Sequence, residues 1–361
     1  MIFKLNILNP SLDTVAVFFD FISCIWTTQY YGTGEFELVV EYSKDNFNAL
    51  QIGNYIVKNN TNEIAVIEKV RYDYSADKGG TITASGRMAI CLLERRLMCY
   101  IGNGHPNIYT YCQDGERMEA AARRSVGNFA VTTMAPSHLV IDNLLLGVDQ
   151  GYTETASKRV STYLNLYRAL TSFLATKNMA HKITYSTNGY LVYKVYKGTD
   201  RSDTMTFSRN IGNLRSFSYE VDSEPWKNWF CIGGDGEALQ RTVLALQTNG
   251  YPHGGGTERR EHFYSASSNK EDGESDAAYN NILIAEAEQE CGDLIVQRNV
   301  EAEIDMTATE YGKDWNVGDV ILISDVVDYK PRITAVIESQ TDAGYAIDVE
   351  FNGEKPEEED E

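Results

Sequence analysis

The sequence has 361 residues, enough for two or three domains, and its 43% hydrophobic and 23% charged content is ordinary for a chain that buries a sizeable core. A formal net charge of −20 works against tight nucleic-acid binding, because phosphates are held by Lys and Arg through counterion release. No run approaches the ~20 apolar residues of a membrane helix, and residues 1–8 lack a basic start followed by a long apolar stretch, so neither a membrane anchor nor a secretory signal is expected.

The 23 tyrosines lean the reading towards sheet, since aromatic side chains fit pleated, half-buried surfaces. Near the start, Phe3, Leu5 and Ile7 alternate with Lys4 and Asn6, the period of two of a half-buried strand. Residues 24–40 read as two strands around a turn at Gly32-Thr33-Gly34, where glycine supplies positive φ. A short helical turn is predicted over 46–50, then strands over 55–57, 63–74 and 80–85. Short strands so closely spaced are the pattern of a small barrel or sandwich.

Residues 88–99 are apolar and basic with helical spacing. Asp114 is the predicted cap of a helix over 116–129, and a second helix is predicted over 161–178, with Leu164, Leu166, Ala169, Leu170, Phe173 and Leu174 as its apolar stripe. A hairpin follows, 182–185 and 190–196, turning at Asn188-Gly189. Strand character returns over 204–220 and 229–233. The stretch 250–274, rich in Gly, Ser and charge, is predicted to be an exposed loop, and Ser275 or Asp276 to cap a helix over 277–290. Strands are then expected over 302–305, 320–323, 332–338 and 346–351, before an acidic tail that reads as disordered.

The fold class expected is therefore α+β and β-rich: two small barrel-like β domains with a helical α+β insertion between them. Residues 1–100, completed by 204–222, form the first, 101–203 the insertion, 223–351 the second with one helix, and 352–361 the tail.

Candidate chemistry is sparse. The cysteines, Cys24, Cys91, Cys99, Cys112, Cys231 and Cys291, form no CxxC pair and mostly sit among apolar neighbours, which reads as buried reduced thiols folded in a reducing cytoplasm. Gly233-Gly234-Asp235-Gly236-Glu237 matches neither a P-loop nor a dinucleotide fingerprint, and Glu237 would repel phosphate, so a strand ending in a tight turn or bulge is expected. His105, His138, His181, His253 and His262 lack metal-ligand spacing. Carboxylates are so many that no glycosidase pair stands out, and no nucleophile elbow or cysteine-protease signature appears. Trp26, Trp226, Trp229 and Trp315 are expected to fill cores or interfaces rather than stack sugars or bases. Catalytic, cofactor-binding and metal-binding residues are accordingly none.

A series of fragments runs along the whole chain. It begins with Leu8-Asn9-Pro10, Ile25-Trp26-Thr27, Tyr30-Tyr31-Gly32 and Gly34-Glu35-Phe36-Glu37-Leu38. It continues through Ile52-Gly53, residues 63–69, Gly86-Arg87 and residues 92–96, then Phe207-Ser208, Gly212-Asn213-Leu214, residues 233–237 and Arg241. It closes with Gly318-Asp319-Val320 and Arg332-Ile333-Thr334. In order and spacing this series resembles the siphovirus-type tail protein family, the baseplate or tail-tip hubs of phages and phage-derived injection particles, over roughly residues 8–351. It departs at Glu237-Ala238-Leu239, where members often carry a second glycine and an acidic-aromatic strand, and at 250–274, which has no placed counterpart.

The resemblance implies a non-enzymatic structural subunit. Two barrel-like domains per chain let a homotrimer present six similar modules and so adapt a sixfold tail tube to a threefold spike. The implied partners are tube or distal-tail subunits on one side and a spike or tape-measure protein on the other. The implied location is the tail tip of a virion or tail-like particle assembled in the bacterial host cytoplasm. An acidic or neutral ring would let DNA pass without holding it. Two alternatives are a tail-associated cell-wall hydrolase and a receptor- or carbohydrate-binding tip protein.

Overall fold

Alternation of side chains builds the sheet that organises the first half of the chain. In the strand Glu35–Glu41, Phe36, Leu38 and Val40 are buried while Glu35, Glu37 and Glu41 face water. It pairs antiparallel with Ser23–Gln29, so that Trp26 lies opposite Phe36, and the connection turns through Gly34 at a φ of 68°. A computed structural model describes residues 4–59, 61–77, 79–102, 105–131, 136, 138–247, 256–270, 273–304, 309–324 and 328–351. Within these, the backbone alone is described for 100–102, 105–107, 285, 289–293, 300 and 304. The acidic tail, His253 and part of the 250–274 stretch lie outside the described residues, as do the side chains of His105 and Cys291.

The chain forms two compact units, residues 1–217 with 301–361, and residues 218–300. In the first, Glu35–Glu41 pairs on its other side with Gly79–Met88, and that strand with the long Glu63–Ser75. Gly86 permits this close pairing: a Cβ there would sit 1.9 Å from the Val66 carbonyl oxygen, beside the bulge between Ile67 and Lys69. Glu63–Ser75 also pairs with Tyr55–Lys58 and, at its start, with Met179–Tyr185. From the other edge of Ser23–Gln29 the sheet continues into Ile333–Thr341 and Gly344–Phe351, so the first and last strands of the chain share one sheet.

The β-rich α+β class is what the structure has. Its strands form one long branched sheet and several small ones, and no closed barrel forms among the described residues. Strand spacing predicts strands; closure depends on tilt and shear across the set, which spacing does not encode.

The helices differ from expectation at their ends. The first runs over Met118–Ala130 with Arg117 at its N-cap, and Asp114 does not cap it; the nearby Glu116 carboxylate instead accepts the Gln113 N–H at 2.8 Å. The second covers only Leu166–Ala175, capped by Asn165, whose side-chain oxygen accepts the N–H groups of Tyr167 and Arg168. Its expected first turn is diverted because Ser161 ends the strand Arg159–Ser161 and donates to the Met98 carbonyl. Residues 89–95 form a 3₁₀ helix, Ala89–Arg95. The single strand expected over 204–220 is two, Thr206–Phe207 and Leu214–Asp222, split by a turn that Asn213 pins through Thr206 O and Ser208 N–H.

In the second unit Trp229–Gly233 is the central strand, with Val243–Gln247 antiparallel on one side and Glu261–Ser265 parallel on the other. The latter corrects the expectation of an uninterrupted loop over 250–274: five residues of alternating exposure pair residue for residue with the central strand. The helix Asp276–Asp293, capped by Ser275 as expected, covers one face through Tyr279, Leu283 and Ala287 against Phe230 and Ile232.

Candidate functional site

The densest polar chemistry in the first unit surrounds Lys58. Its strand Tyr55–Lys58 is buried throughout, which leaves the ammonium group no route to water. Lys58 Nζ lies 2.7 Å from Glu63 Oε2 and also pairs with Glu338, while sitting over the rings of Trp26 and Tyr311 at 5.4 and 5.6 Å. Glu63 further accepts from Trp26 Nε1 at 3.0 Å, Thr61 Oγ1 at 3.0 Å, Thr28 Oγ1 at 3.2 Å and Tyr311 OH at 3.3 Å. Glu338 accepts from Tyr345 OH at 2.6 Å.

Burial alone would raise the Glu63 carboxyl, but the attraction and hydrogen bond of Lys58, with the charge of Lys182 and the Thr61 hydroxyl, together hold the group below its usual range. Burial likewise opposes the charge of Lys58, and its two carboxylate partners prevail, raising it. Glu338 goes the other way: burial, aided by repulsion from Glu63, outweighs Lys58 and lifts it above the ordinary value. The cluster thus holds one cation between two carboxylates, and Glu338 is the member that takes up a proton first on acidification. It ties the consecutive strands Tyr55–Lys58 and Glu63–Ser75 to Ile333–Thr341, 280 positions from Lys58 to Glu338, by charge-assisted bonds.

Glu63 also lines a cleft of about 410 Å³, counting the solvent in its mouth, whose walls include Thr28, Thr33, Lys182, Thr184 and Tyr196. His181 borders it from within the core. Its ring lies between Thr171 Oγ1 at 2.8 Å and Tyr193 OH at 3.1 Å and stacks on Tyr167, and burial pushes its pKa down to about 3. That makes it a neutral core histidine over the physiological range.

The other residues singled out in the sequence fall elsewhere. Burial raises the thiols of Cys24 and Cys91 to about 12, far from the reactive range; Cys112 is buried, and Cys99 and Cys231 are half-buried. The glycine cluster is the expected tight turn. The Gly234 N–H donates to Thr242 O, the Gly236 N–H to Asp235 Oδ1, and Arg241 binds the carbonyls of Gly233 and Gly234, so these amides cradle nothing else. Trp26 and Trp315 are fully buried, whereas Trp226 and Trp229 are half-buried under Arg260 and Arg259. His138 is exposed and His262 half-buried, and no group of metal-ligating residues gathers among the described residues. Sequence reasoning missed the Lys58 cluster. The only signal it offered was a lysine ending an apolar strand and a glutamate opening the next.

The fold is that of prophage tail proteins. It matches a tail protein from Neisseria meningitidis MC58 with a TM-score of 0.58 at 12% identity, covering 99% of this chain and 98% of that one. It matches the 43 kDa tail protein of prophage MuSo2 from Shewanella oneidensis with a TM-score of 0.60 at 13% identity, over 99% and 98%. A chain in the structure of a PdpA–VgrG complex gives 0.51 at 8% identity, covering 97% of this chain and 64% of that one. No curated protein sequence matches. The family described as Siphovirus ReqiPepy6 Gp37-like protein matches residues 4–351, and the chain belongs to this siphovirus tail protein family.

Proposed function

We propose that the chain is a structural hub subunit of a baseplate or tail tip, assembling as a homotrimeric ring between a sixfold tail tube and a threefold spike. The observation that carries this reading is family membership over residues 4–351, supported by a fold shared with prophage tail proteins along nearly their whole length. In this reading two β-rich portions of the chain act as similar modules, so that three copies present six. Tube or distal-tail subunits dock on one side and a spike or tape-measure protein on the other. The role is structural rather than enzymatic, and the protein works at the tail tip after assembly in the host cytoplasm.

An open sheet edge favours assembly. Among the described residues the strand Thr14–Phe18 pairs only with Leu5–Leu8, and Val15, Val17 and Phe19 are exposed beside it. An apolar strand with a free edge is a ready surface for another chain.

Light scattering of the purified chain over a range of concentrations tests the proposal. A mass three times the 40.5 kDa chain is expected. A mass that stays at one chain, even with tube and spike proteins added, overturns it. Purified protein should leave isolated cell walls intact.

A further inference from the structure

Two lysines beside the cleft form no direct ion pair among the described residues. In the hairpin Met179–Tyr185 and Leu191–Lys197, Lys182 is directly opposite Lys194, which places both on the same face of the sheet. Like charges at directly opposed positions repel. The chain has 52 acidic and 32 basic residues, so carboxylates are abundant, yet among the described residues no ion pair or side-chain hydrogen bond engages either ammonium group. Lys182 is the more confined of the two. It lines the cleft and packs its Nζ 4.4 Å above the ring of Tyr196, which lines the same space. Thr33 and Thr184 line the same space, and no hydrogen bond among the described residues occupies their hydroxyls.

The one carboxylate on the wall is already committed. Glu63 is shared among Lys58, Trp26, Thr28, Thr61 and Tyr311. Lys182 therefore carries a partly desolvated charge whose compensation is incomplete, a costly arrangement unless something supplies the missing partner. Burial, with Lys194 adding to it, lowers the Lys182 amine below its ordinary value despite the attraction of Glu63.

We propose that this cleft binds a carboxylate, held at Lys182 with Lys194 at its mouth and the hydroxyls of Thr33 and Thr184 as further donors. Lys182 on the wall offers a charge-assisted donor to a carboxylate, Lys194 opposite it on the neighbouring strand adds positive charge on the same sheet face, and the confined inner space admits a group of that size. Such a group is carried equally by a small organic acid and by an Asp or Glu side chain of a docking protein.

Calorimetric titration of the full chain with sodium acetate, at constant ionic strength maintained with chloride, tests the site. A glutamate-containing peptide and inorganic phosphate are titrated in parallel. Wild-type protein should bind acetate saturably, and Lys182→Met, which keeps the apolar stem over Tyr196, should weaken binding by about tenfold or more. Lys194→Met should weaken it less and serves if Lys182→Met fails to fold, while Lys44→Met, in an exposed helix, should change nothing. A peptide that binds where acetate does not, with the same dependence on Lys182, assigns the carboxylate to a protein partner. Non-saturable heats, equal affinity in both cleft variants and wild type, or phosphate binding more tightly than acetate overturns the proposal.

Discussion

In the unit formed by residues 1–217 and 301–361, a broad core runs under a long sheet and encloses an ionic cluster. Among the described residues of 218–300, the fully buried apolar core is Phe230, Ile232, Tyr279, Leu283 and Ala287, against a three-stranded sheet. The two differ in how they satisfy buried polar groups. In the larger unit, charged groups satisfy one another: Lys58, at 0% exposure, has two carboxylates, and each carboxylate has further donors. In the smaller, a neutral hydroxyl does the comparable work, as Tyr279 OH accepts the Asp235 N–H at 2.7 Å and donates to the Ser268 carbonyl at 2.9 Å. A large core can isolate ions from water and hold partners around them, whereas a small one keeps its charged groups, such as Arg241 and Glu286, part-buried at its margin and places a neutral hydroxyl at its centre.

The sharpest way to break this comparison is to remove the cation. Lys58→Met leaves Glu63 and Glu338 buried without their shared partner and should cost about 3–5 kcal/mol in denaturant unfolding. Acidification should shrink that loss, because Glu338 and then Glu63 take up protons and stop repelling. A loss below about 1 kcal/mol at neutral pH would mean that the cluster is worth no more than a surface pair.

Trp26→Ala removes a fully buried ring and the donor to Glu63, and should cost about 3–5 kcal/mol, seen as a lowered melting temperature and impaired assembly. Normal oligomers at an unchanged melting temperature would contradict the placement of Trp26 in the core.

His181 supplies a pH dependence. Its folded pKa, near 3, lies below the ordinary 6.5, so between these values the unfolded state binds the extra proton and stability falls as pH falls. The slope is about 1.4 kcal/mol per pH unit at most, or roughly 2 kcal/mol between pH 6.5 and 5. In His181→Gln the unfolding free energy should lose that part of its acid limb, and an identical slope in the variant would assign the acid sensitivity elsewhere.

The smallest effect belongs to the second unit. Tyr279→Phe strips both hydrogen bonds of the hydroxyl and should cost about 1–2 kcal/mol. Hydrogen exchange should rise within residues 218–300 and stay unchanged in residues 1–217. Faster exchange in both would show that the units share one cooperative transition.

Much of this architecture is legible in the residues. Alternation in 35–41, the glycine turns at Gly34 and Gly189, and the Ser275 cap are local signals, and each is where it was expected. Local signals failed where a distant partner decides. The strand Glu261–Ser265 is set by direct parallel pairing with Trp229–Gly233, from which the strand Val243–Gln247 separates it along the chain, and Ser161 is taken out of a helix by the Met98 carbonyl 63 positions away. The Thr14–Phe18 strand turns Val15 and Val17 outward and Ala16 and Phe18 inward, so apolar residues on both faces leave its periodicity silent about the core it borders.

The sequence by itself determined the β-rich class, the two long helices of the first unit in outline, the absence of a recognisable catalytic motif, and the resemblance to tail proteins that family membership bears out. These depend on short-range periodicity, capping chemistry and the order of fragments, all written along the chain. Only the tertiary structure decided that Lys58 meets Glu338 from 280 positions away, that strands from both ends of the chain share one sheet, and that Lys182 lines a cleft with Lys194 opposite it on the neighbouring strand. The charge state and burial of a side chain depend on what surrounds it in space, and the residues that surround these three are scattered over the whole sequence.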